Sequence, residues 1–493
     1  MGKDTPKSNG KVVTEFPQSY TAWRHARKVW SELNDRVPGT PPERLLQAVW
    51  QHQRVVAERL QLTDGTPVRI LHPGFWNHGA GPDFAGALVQ FGKGTPVSGD
   101  IEIDLEISGW RAHAHHQNAA FKNVVLHVVW NATGKAVDQP TLPLKDRLDA
   151  PLPELETWLD HPGIAELPSP FAGRCSAPLR ELTLELRNNI LRQAALVRLA
   201  SKANQFQARA RQAGWEQSLW EGLFRALGYR HNAWPMQRLA EAIPELRKLT
   251  GNLQSPLPWQ ARLLGLAGLL PSDSKIPEVR TWLRTAWDIW WRDRDMLSDW
   301  QIPTALWRRH GMRPANQPVR RLDLAAHWLA DNTLPARLET WLKSQEKPDH
   351  ALPSLINHLP VVQDEFWSRR WTLTGAAFHP PHPLLGHTRI TDLAVNVFLP
   401  WLHARAVLGG KAKLQERIES HYLHWPAAQD NTLLRQARQR LLGGSNCAPL
   451  KTSAEQQGVL QILRDFCDHT NARCDHCQLP ALIRNQTDQK TKE

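Results

Sequence analysis

The strongest chemical signal in the sequence is a segment whose acidic and apolar residues alternate without exception. Residues 100–107 have the sequence DIEIDLEI. Because strand side chains point alternately to opposite faces, one face of such a strand carries four carboxylates about 6.6 Å apart. They are Asp100, Glu102, Asp104 and Glu106. Like charges in a row repel unless water or a cation surrounds them, so this is either a half-buried strand with a solvated acidic face or part of a cation site.

Another carboxylate precedes the neighbouring strand. Asp83 follows Pro82 at the start of a strand predicted at 85–91, and the acidic strand is predicted at 97–107. A hard divalent cation takes oxygen ligands from neighbouring strands and keeps positions open for water. We therefore predict that Asp83 and Glu102 bind Mg²⁺ or Mn²⁺, with Asp104 as an auxiliary ligand or water-orienting group.

Histidines follow the acidic strand at positions 113, 115 and 116. His113 and His115 have a His-x-His spacing, which on a strand places both imidazoles on one face and is typical of metal sites. The chain has 22 His, so a polar loop without a metal is the competing interpretation. His127, inside an apolar segment, is predicted to be a hydrogen-bonded core residue.

Three cysteines near the end of the chain have the spacing of a metal site: Cys467, Cys474 and Cys477. The two-residue gap between the last two lets both thiolates bind one ion, either Zn²⁺ or a [4Fe–4S] cluster, in a structural role. The candidates for a fourth ligand are Cys175, Cys447, His469 and His476. The alternative is unliganded thiols, and five Cys in 493 residues are too few for a disulfide framework.

Tryptophan and arginine recur together, as in residues 307–309 and 367–371. Such pairs either stack on and contact nucleic acid or, more often, form a helical core with Arg lying across the Trp ring. The basic stretch 313–321, which leads into a predicted helix, is the best single candidate for a phosphate-contacting surface. The predicted nucleic-acid-binding residues are Arg308, Arg309, Arg313, Arg320 and Arg321.

The composition of the chain predicts a globular protein. It has 493 residues, of which 41% are hydrophobic and 22% charged, and these fractions exclude a disordered chain. The net charge of +12 permits a nucleic-acid partner. Its 23 Trp outnumber 12 Phe and 3 Tyr. No apolar run is long enough to cross a bilayer and the first residues contain no apolar signal segment, so we expect a cytoplasmic protein with no membrane partner.

The order of predicted elements indicates an α+β fold. Residues 17–150 are predicted to form a small α/β unit in the order helix, three strands, helix, strand. Its helices are expected at about 41–61 and 116–122, and its last strand at 124–130. The remaining predicted parts are a large Trp-rich helical domain at 151–445 without a repeat period, a Cys-rich segment at 446–483, and tails at 1–16 and 484–493.

This N-terminal unit resembles the restriction-endonuclease-like nuclease core. The pattern of that superfamily is Pro-Asp, a spacer, and then Asp or Glu, any residue, Lys; residues 82–83 and 102–103 match it. Asp104 stands where the pattern has the Lys that positions and polarises the attacking water. The resemblance implies metal-dependent phosphodiester hydrolysis, with Lys122 or Lys93 in place of the missing lysine.

Short segments between residues 40 and 480 are together similar to one uncharacterised bacterial family, domain-of-unknown-function family 2851. They are 70–74, 79–84, 99–103, 110–115, 123–129, 312–318, 390–400 and 457–477. This resemblance implies an architecture and no reaction. A Glu-x-His pair expected at positions 102–104 is not kept, because position 104 is Asp.

The predicted function is a divalent-metal-dependent nuclease acting on DNA or RNA. The alternative is a non-catalytic nucleic-acid-binding or scaffold protein in which the acidic strand is a solvated face. A hydrolase with another substrate is a third interpretation. Metal-dependent cleavage of nucleic acid that is lost in the Asp83→Ala variant would support the nuclease over the non-catalytic protein.

Overall fold

A computed structural model describes the chain at residues 20–24, 40–77, 81–152, 154–155, 173–229, 231–250, 254–345, 347–360, 364–443, 450–467 and 477–490. Its secondary structure is a six-stranded sheet near the N-terminus and a long series of helices. The predicted α+β class is confirmed.

The sheet region begins with helix α1 (Glu43–Gln51). The strands are β1 (Val68–His72), β2 (Phe75–Trp76), β3 (Phe84–Phe91), β4 (Val97–Glu106), β5 (Val124–Asn131) and β6 (Thr141–Pro143). The one-turn helix α2 (Gly109–Ala112) lies between β4 and β5. The three main predicted strands end within one residue of β3, β4 and β5, whereas β2 and β6 were not predicted because they are only two and three residues long.

Two predicted helices differ from the structure. The helix expected at 41–61 ends at Gln51, because Gln53 adopts a left-handed conformation with φ of 48°. The helix expected at 116–122 is replaced by two 3₁₀ turns, His115–Gln117 and Ala119–Phe121. The Asn118 side chain caps the second turn by accepting a hydrogen bond from the Ala120 N–H, which starts a new turn instead of continuing the first.

The sheet is mixed, with strand order β1-β3-β4-β5-β6 and β2 paired to β3. β3 runs antiparallel to β4, while β5 runs parallel to β4. A parallel pair requires a crossover that returns the chain to the starting end of the first strand. Residues 107–123 make this crossover and therefore pass over one face of the sheet.

The two faces of β4 have different environments. Ile101 and Ile103 are fully buried in the main core of this region, together with Trp50 of α1 and Leu126 of β5. The opposite face carries Glu102 and Asp104, and the crossover above it has a small apolar cluster of its own, made by Trp110, Phe121 and Val124. The middle of the acidic face is thus covered by protein.

After the sheet, most of the described residues are helical. The helices are α3 (Ser176–Glu181), α4 (Leu184–Ala213), α5 (Trp215–Leu227), α6 (Ala233–Glu241), α7 (Ile243–Thr250), α8 (Pro256–Leu266), α9 (Pro277–Asp293), α10 (Pro318–Asp331), α11 (Leu334–Ser344), α12 (Ala351–His358), α13 (His387–Leu393), α14 (Leu399–Leu408), α15 (Ala412–His424), α16 (Thr432–Leu442), α17 (Ser453–Ile462) and α18 (Leu479–Lys490). Two π-helical segments, Ala394–Phe398 and Leu463–Cys467, continue α13 and α17. No helix in the described ranges combines the length and apolar character that a membrane span requires.

The chain divides into two compact units. One comprises Met1–Thr40, Gly163–Arg198 and Asp430–Glu493, and the other Pro41–Pro162 and Leu199–Gln429. The second unit contains the sheet, and its helices are packed around tryptophan. Six of its helical-region Trp side chains are at most 1% exposed: Trp220, Trp328, Trp341, Trp367, Trp401 and Trp425. Core packing is thus the role of these tryptophans.

Candidate metal centre

The two central carboxylates of the acidic strand are buried. Glu102 is 7% exposed and Asp104 is 2% exposed. Asp100 and Glu106, at the ends of the face, are partly or fully exposed. The solvated acidic face proposed as an alternative therefore describes only the ends of β4, and not its middle.

Asp83 lies directly beside Glu102. Phe84 pairs with Ile101 in the antiparallel β3–β4 ladder, so the preceding Asp83 is opposite Glu102. The Asp83 N–H donates to Glu102 Oε2 at 3.1 Å. Asp83 Oδ2 in turn accepts from the Ile103 N–H at 3.1 Å. The structure therefore brings together the Pro-Asp and Glu residues that the sequence predicted.

Helix α1 holds the Asp83 side chain by a hydrogen bond. The Gln47 side chain donates to Asp83 Oδ1 at 2.8 Å and to Glu43 Oε1 at 3.1 Å. Gln47 is 6% exposed and lies four residues after the exposed Glu43, on the same side of the helix. Neither residue was predicted. A polar Gln among the buried apolar residues of α1 is the signal that identifies this contact.

Asp104 is held between two histidines. Its Oδ2 lies 2.9 Å from Nε2 of the fully buried His127, and its Oδ1 lies 3.2 Å from Nδ1 of His113. The prediction of a hydrogen-bonded core role for His127 is confirmed. Gly109 leaves room for this carboxylate, since a Cβ at that position would lie 2.6 Å from Asp104 Cγ and Oδ1.

His115 completes the group on the crossover. Its Nε2 lies 3.2 Å from Glu102 Oε1, and its ring packs on Phe121 and Trp110 with centroids 4.0 and 5.4 Å away. The His115 side chain is 10% exposed, and among the described residues neither of its buried ring nitrogens has a hydrogen-bond partner. His113 and His115 are not on a strand, because Ala114 between them is left-handed with φ of 57°, but their rings are 5.3 Å apart.

These side chains provide a set of metal donors. One ligand atom each from Asp104, His113 and His115 lies within 4.8 Å of the other two. Glu102 adds a carboxylate oxygen next to His115. Because two carboxylates and two imidazoles converge, the donors fit a divalent transition ion that accepts both oxygen and nitrogen.

The pKa shifts of these side chains also bear on whether a cation is bound. Burial, with repulsion from Asp83, raises the pKa of Glu102 to about 9. Burial, with repulsion from Glu43, raises the pKa of Asp83 to about 7. Burial also lowers the pKa of His115. The protein alone therefore does not stabilise the fully ionised cluster, which needs either protons or a cation to balance its charge.

The lysines expected to replace the one missing from the nuclease pattern are elsewhere. Lys122 follows the second 3₁₀ turn and is exposed, and no ion pair joins it to the carboxylates in the part of the chain described. Lys93 lies in the turn after β3, at the opposite end of that eight-residue strand from Asp83. Asp104, at the position of the Lys, is a member of the donor cluster.

The arginines predicted to bind nucleic acid fall into two groups. Arg308, Arg309 and Arg313 are exposed. Arg320 and Arg321, on α10, are 1% and 4% exposed. The Arg320 guanidinium donates to the carbonyls of residues 367, 382 and 383, and that of Arg321 to the carbonyl of residue 384. The phosphate contact predicted for Arg320 and Arg321 is therefore replaced by a packing role, because their donors are used in the interior.

The cysteine site is described in part. Cys175 and Cys467 are buried in one apolar cluster of their compact unit, and Cys477 packs against that cluster. The structure thus brings the distant Cys175 to the same core as two members of the C-terminal motif. Cys474, Cys447, His469 and His476 lie outside the described residues.

Comparison with known protein families identifies a family model that covers most of the chain. The model of the family described as Protein of unknown function (DUF2851) matches residues 43–431. No curated protein and no solved structure matches the chain. The matched range contains the sheet, the donor cluster and most of the helices. The chain therefore belongs to the DUF2851 family.

Proposed function

We propose that this protein is a divalent-metal-dependent phosphodiesterase that cleaves DNA or RNA. One observation carries the proposal: the Glu102 and Asp104 carboxylates are buried together, with Asp83 beside them and the imidazoles of His113 and His115 above them. Buried like charges need a cation or protons. The buried Nδ1 of His115, which has no hydrogen-bond partner among the described residues, favours the cation.

The donor set selects among metals. Mg²⁺ prefers oxygen ligands and dehydrates reluctantly, whereas Mn²⁺ accepts imidazole nitrogen together with carboxylate oxygen. We therefore rank Mn²⁺ above Mg²⁺ for this site. A bound divalent cation lowers the pKa of a coordinated water and neutralises charge on the phosphoryl group.

The residues of the chain have separate tasks in this proposal. Glu102, Asp104, His113 and His115 hold the cation. Asp83, which takes hydrogen bonds from Gln47 and from the Ile103 N–H, fixes Glu102 through its own N–H. His127 fixes the orientation of Asp104 from the interior, as outer-shell partners of metal ligands commonly do.

Two properties favour a nucleic-acid substrate. The chain has a net charge of +12, which attracts polyanions. Arg308, Arg309 and Arg313 expose their side chains on one short stretch, as phosphate contacts require. The likeness of the Pro-Asp and Glu positions to the nuclease pattern adds to this, and Asp104 in place of Lys is the point where the chain departs from it.

Metal-dependent cleavage of single- and double-stranded DNA and RNA tests the proposal. Cleavage with Mn²⁺ should be abolished by a chelator and should fall at least about a hundredfold in Asp83→Ala, Glu102→Gln and Asp104→Asn, since each change removes one of the converging carboxylates. Glu106→Gln is the matched control, because Glu106 is at the exposed end of the same strand.

Two results would overturn the proposal. Cleavage that persists in Glu102→Gln would place the activity elsewhere or in a contaminant. No cleavage with any divalent metal, together with salt-sensitive nucleic-acid binding, would indicate the non-catalytic binding protein instead.

A further inference from the structure

A second group of metal-ligating side chains lies among the helices, outside the acidic strand. Ligand atoms of Asp323, His327 and Asp364 all lie within 4.8 Å of one another. His327 Nε2 is 2.9 Å from Asp364 Oδ2 and 3.8 Å from Asp323 Oδ1. One imidazole is therefore placed between two carboxylates.

The fold explains why these three residues meet. Asp323 and His327 are four residues apart on α10, so both project from the same side of the helix. Asp364 precedes the 3₁₀ turn Trp367–Arg369 and accepts a hydrogen bond from the Trp367 N–H at its Oδ1. That contact leaves its Oδ2 directed at His327.

Gln260 of α8 adds a fourth polar group. Its side-chain amide nitrogen donates to Asp323 Oδ1 at 2.5 Å and also lies 3.3 Å from Asp364 Oδ2. The amide therefore bridges the two carboxylates. Since the oxygen and nitrogen of an amide exchange places by a half-turn, the same side chain can offer an oxygen to an ion.

An independent observation points to a ligand at this cluster. The Asp323 side chain is fully buried, and its second oxygen, Oδ2, has no hydrogen-bond partner among the described residues. An unpartnered oxygen on a buried carboxylate costs free energy unless a cation or a proton satisfies it. When ionised, the Asp323 and Asp364 carboxylates together carry the charge that one divalent ion neutralises.

The cluster also has access to solvent on one side. His327 lines a cavity of about 350 Å³, together with Asp331, Thr333 and Arg337. The His327 side chain is 17% exposed and that of Asp364 is 14% exposed. An ion can therefore enter from the cavity, and a water can occupy the coordination position that faces it.

We propose that Asp323, His327 and Asp364 bind a Zn²⁺ ion, with Gln260 as an adjustable neighbour. Zn²⁺ binds His nitrogen and Asp oxygen, and a zinc site with three protein ligands keeps its fourth position for water. The ion links α8, α10 and the segment that begins at Asp364. It is separate from the Glu102–Asp104 centre, and no residue is shared between the two.

Zinc content measures this site directly. The full chain is stripped of metal, dialysed against buffered Zn²⁺ and analysed for zinc per chain. His327→Gln and Asp364→Asn should each lose one zinc relative to wild type. The matched controls are His358→Gln, whose imidazole is bonded to the Ser354 carbonyl, and Asp349→Asn, which is exposed. Both controls should retain the wild-type count.

Thermal unfolding gives a second readout that does not depend on the count. Zn²⁺ should raise the melting temperature of the control variants more than that of Asp323→Asn, an isosteric change that keeps the packing. Equal zinc content and equal Zn²⁺-dependent stabilisation in all variants would overturn the proposal. The proposal would also be overturned if the Asp323→Asn variant were more stable than wild type and lost no zinc. A proton on the buried Asp323 carboxyl would then explain its burial without a metal.

Discussion

Replacing Glu102 with Gln should change how metal affinity depends on pH. In the metal-free protein the pKa of Glu102 is raised to about 9 and that of Asp83 to about 7, chiefly by burial. A metal ion binds the carboxylate form, so below pH 9 each binding event must displace the Glu102 proton. Each pH unit below a pKa then weakens the apparent affinity about tenfold per displaced proton, or about 1.4 kcal/mol.

The magnitude follows from these two values. Between pH 8.5 and 7 the wild-type dissociation constant for Mn²⁺ should rise about thirtyfold, or about 2 kcal/mol, because only the Glu102 proton is displaced. Below pH 7 the Asp83 carboxyl is also protonated, but Asp83 is not one of the proposed ligands, so the dependence should stay near tenfold per pH unit. In Glu102→Gln the affinity should be weaker at pH 8.5 and nearly constant down to pH 7.

Calorimetric or electron-paramagnetic-resonance titration with Mn²⁺ under argon, from pH 6.5 to 8.5, measures this dependence. Mn²⁺ has little affinity for thiolates, which keeps the cysteine site out of the measurement. A His327→Gln background removes the second cluster. Glu106→Gln, a matched change at the exposed end of β4, should retain the wild-type slope. A wild-type affinity that does not vary between pH 7 and 8.5, or an unchanged slope in Glu102→Gln, would refute the reasoning.

Four further predictions test other parts of the structure. Gly109→Ala should reduce Mn²⁺ affinity at least about tenfold with the fold retained, because a Cβ would lie 2.6 Å from the Asp104 carboxyl. Titration with Mn²⁺ measures this affinity. Gly386→Ala is the control, because Gly386 has open space around it. Burial lowers the pKa of His72 to about 4. Between pH 6.5 and 4 this imidazole therefore binds a proton in the unfolded chain but not in the folded one, and the free energy of unfolding should fall by about 3 kcal/mol over that range. Urea unfolding measures that loss, which should be absent in His72→Asn. Arg320→Met should cost about 3 kcal/mol of stability because buried carbonyls lose their donor, whereas Arg313→Met should cost less than about 0.5 kcal/mol and weaken DNA binding. Cys175→Ser should lower the zinc or iron that copurifies with the chain, measured by elemental analysis.

Each of these four has an outcome that contradicts it. Gly109→Ala with wild-type affinity would mean that the Asp104 carboxylate is not confined. Equal acid sensitivity of wild type and His72→Asn would assign the loss to other groups. If Arg313→Met were as destabilised as Arg320→Met, the assignment of Arg313 to the surface and of Arg320 to the interior would be wrong. An unchanged metal content in Cys175→Ser would exclude it as a ligand.

The parts of the site that the sequence predicts correctly depend on short-range regularity. Strand alternation placed Glu102 and Asp104 on one face, and the order Pro82-Asp83 before a strand placed Asp83 at its start. The hairpin between β3 and β4 then sets Asp83 opposite Glu102 through its register. Alternation alone does not tell which face is covered, so the burial of the acidic face required knowledge of the crossover.

The parts that sequence could not predict depend on how the chain is placed in three dimensions, which residue spacing does not show. His113 and His115 reach the carboxylates because the β4–β5 pair is parallel and its crossover covers this face. Arg320 and Arg321 look like a phosphate-binding pair in the sequence, but the chain around residues 367 and 382–384 encloses them. Asp364 meets His327 from 37 residues away, a distance over which no sequence spacing is informative.

The crossover has a consequence for the order in which the protein folds. The four proposed ligands of the first centre all lie between residues 102 and 115, so the loop that must close to bring them together is short and its entropic cost is low. Contacts that are close in sequence form early in folding. A cation bound by this segment would therefore act on the folding rate as well as on the unfolding rate. Metal supply during synthesis would then influence how quickly β5 finds its place beside β4.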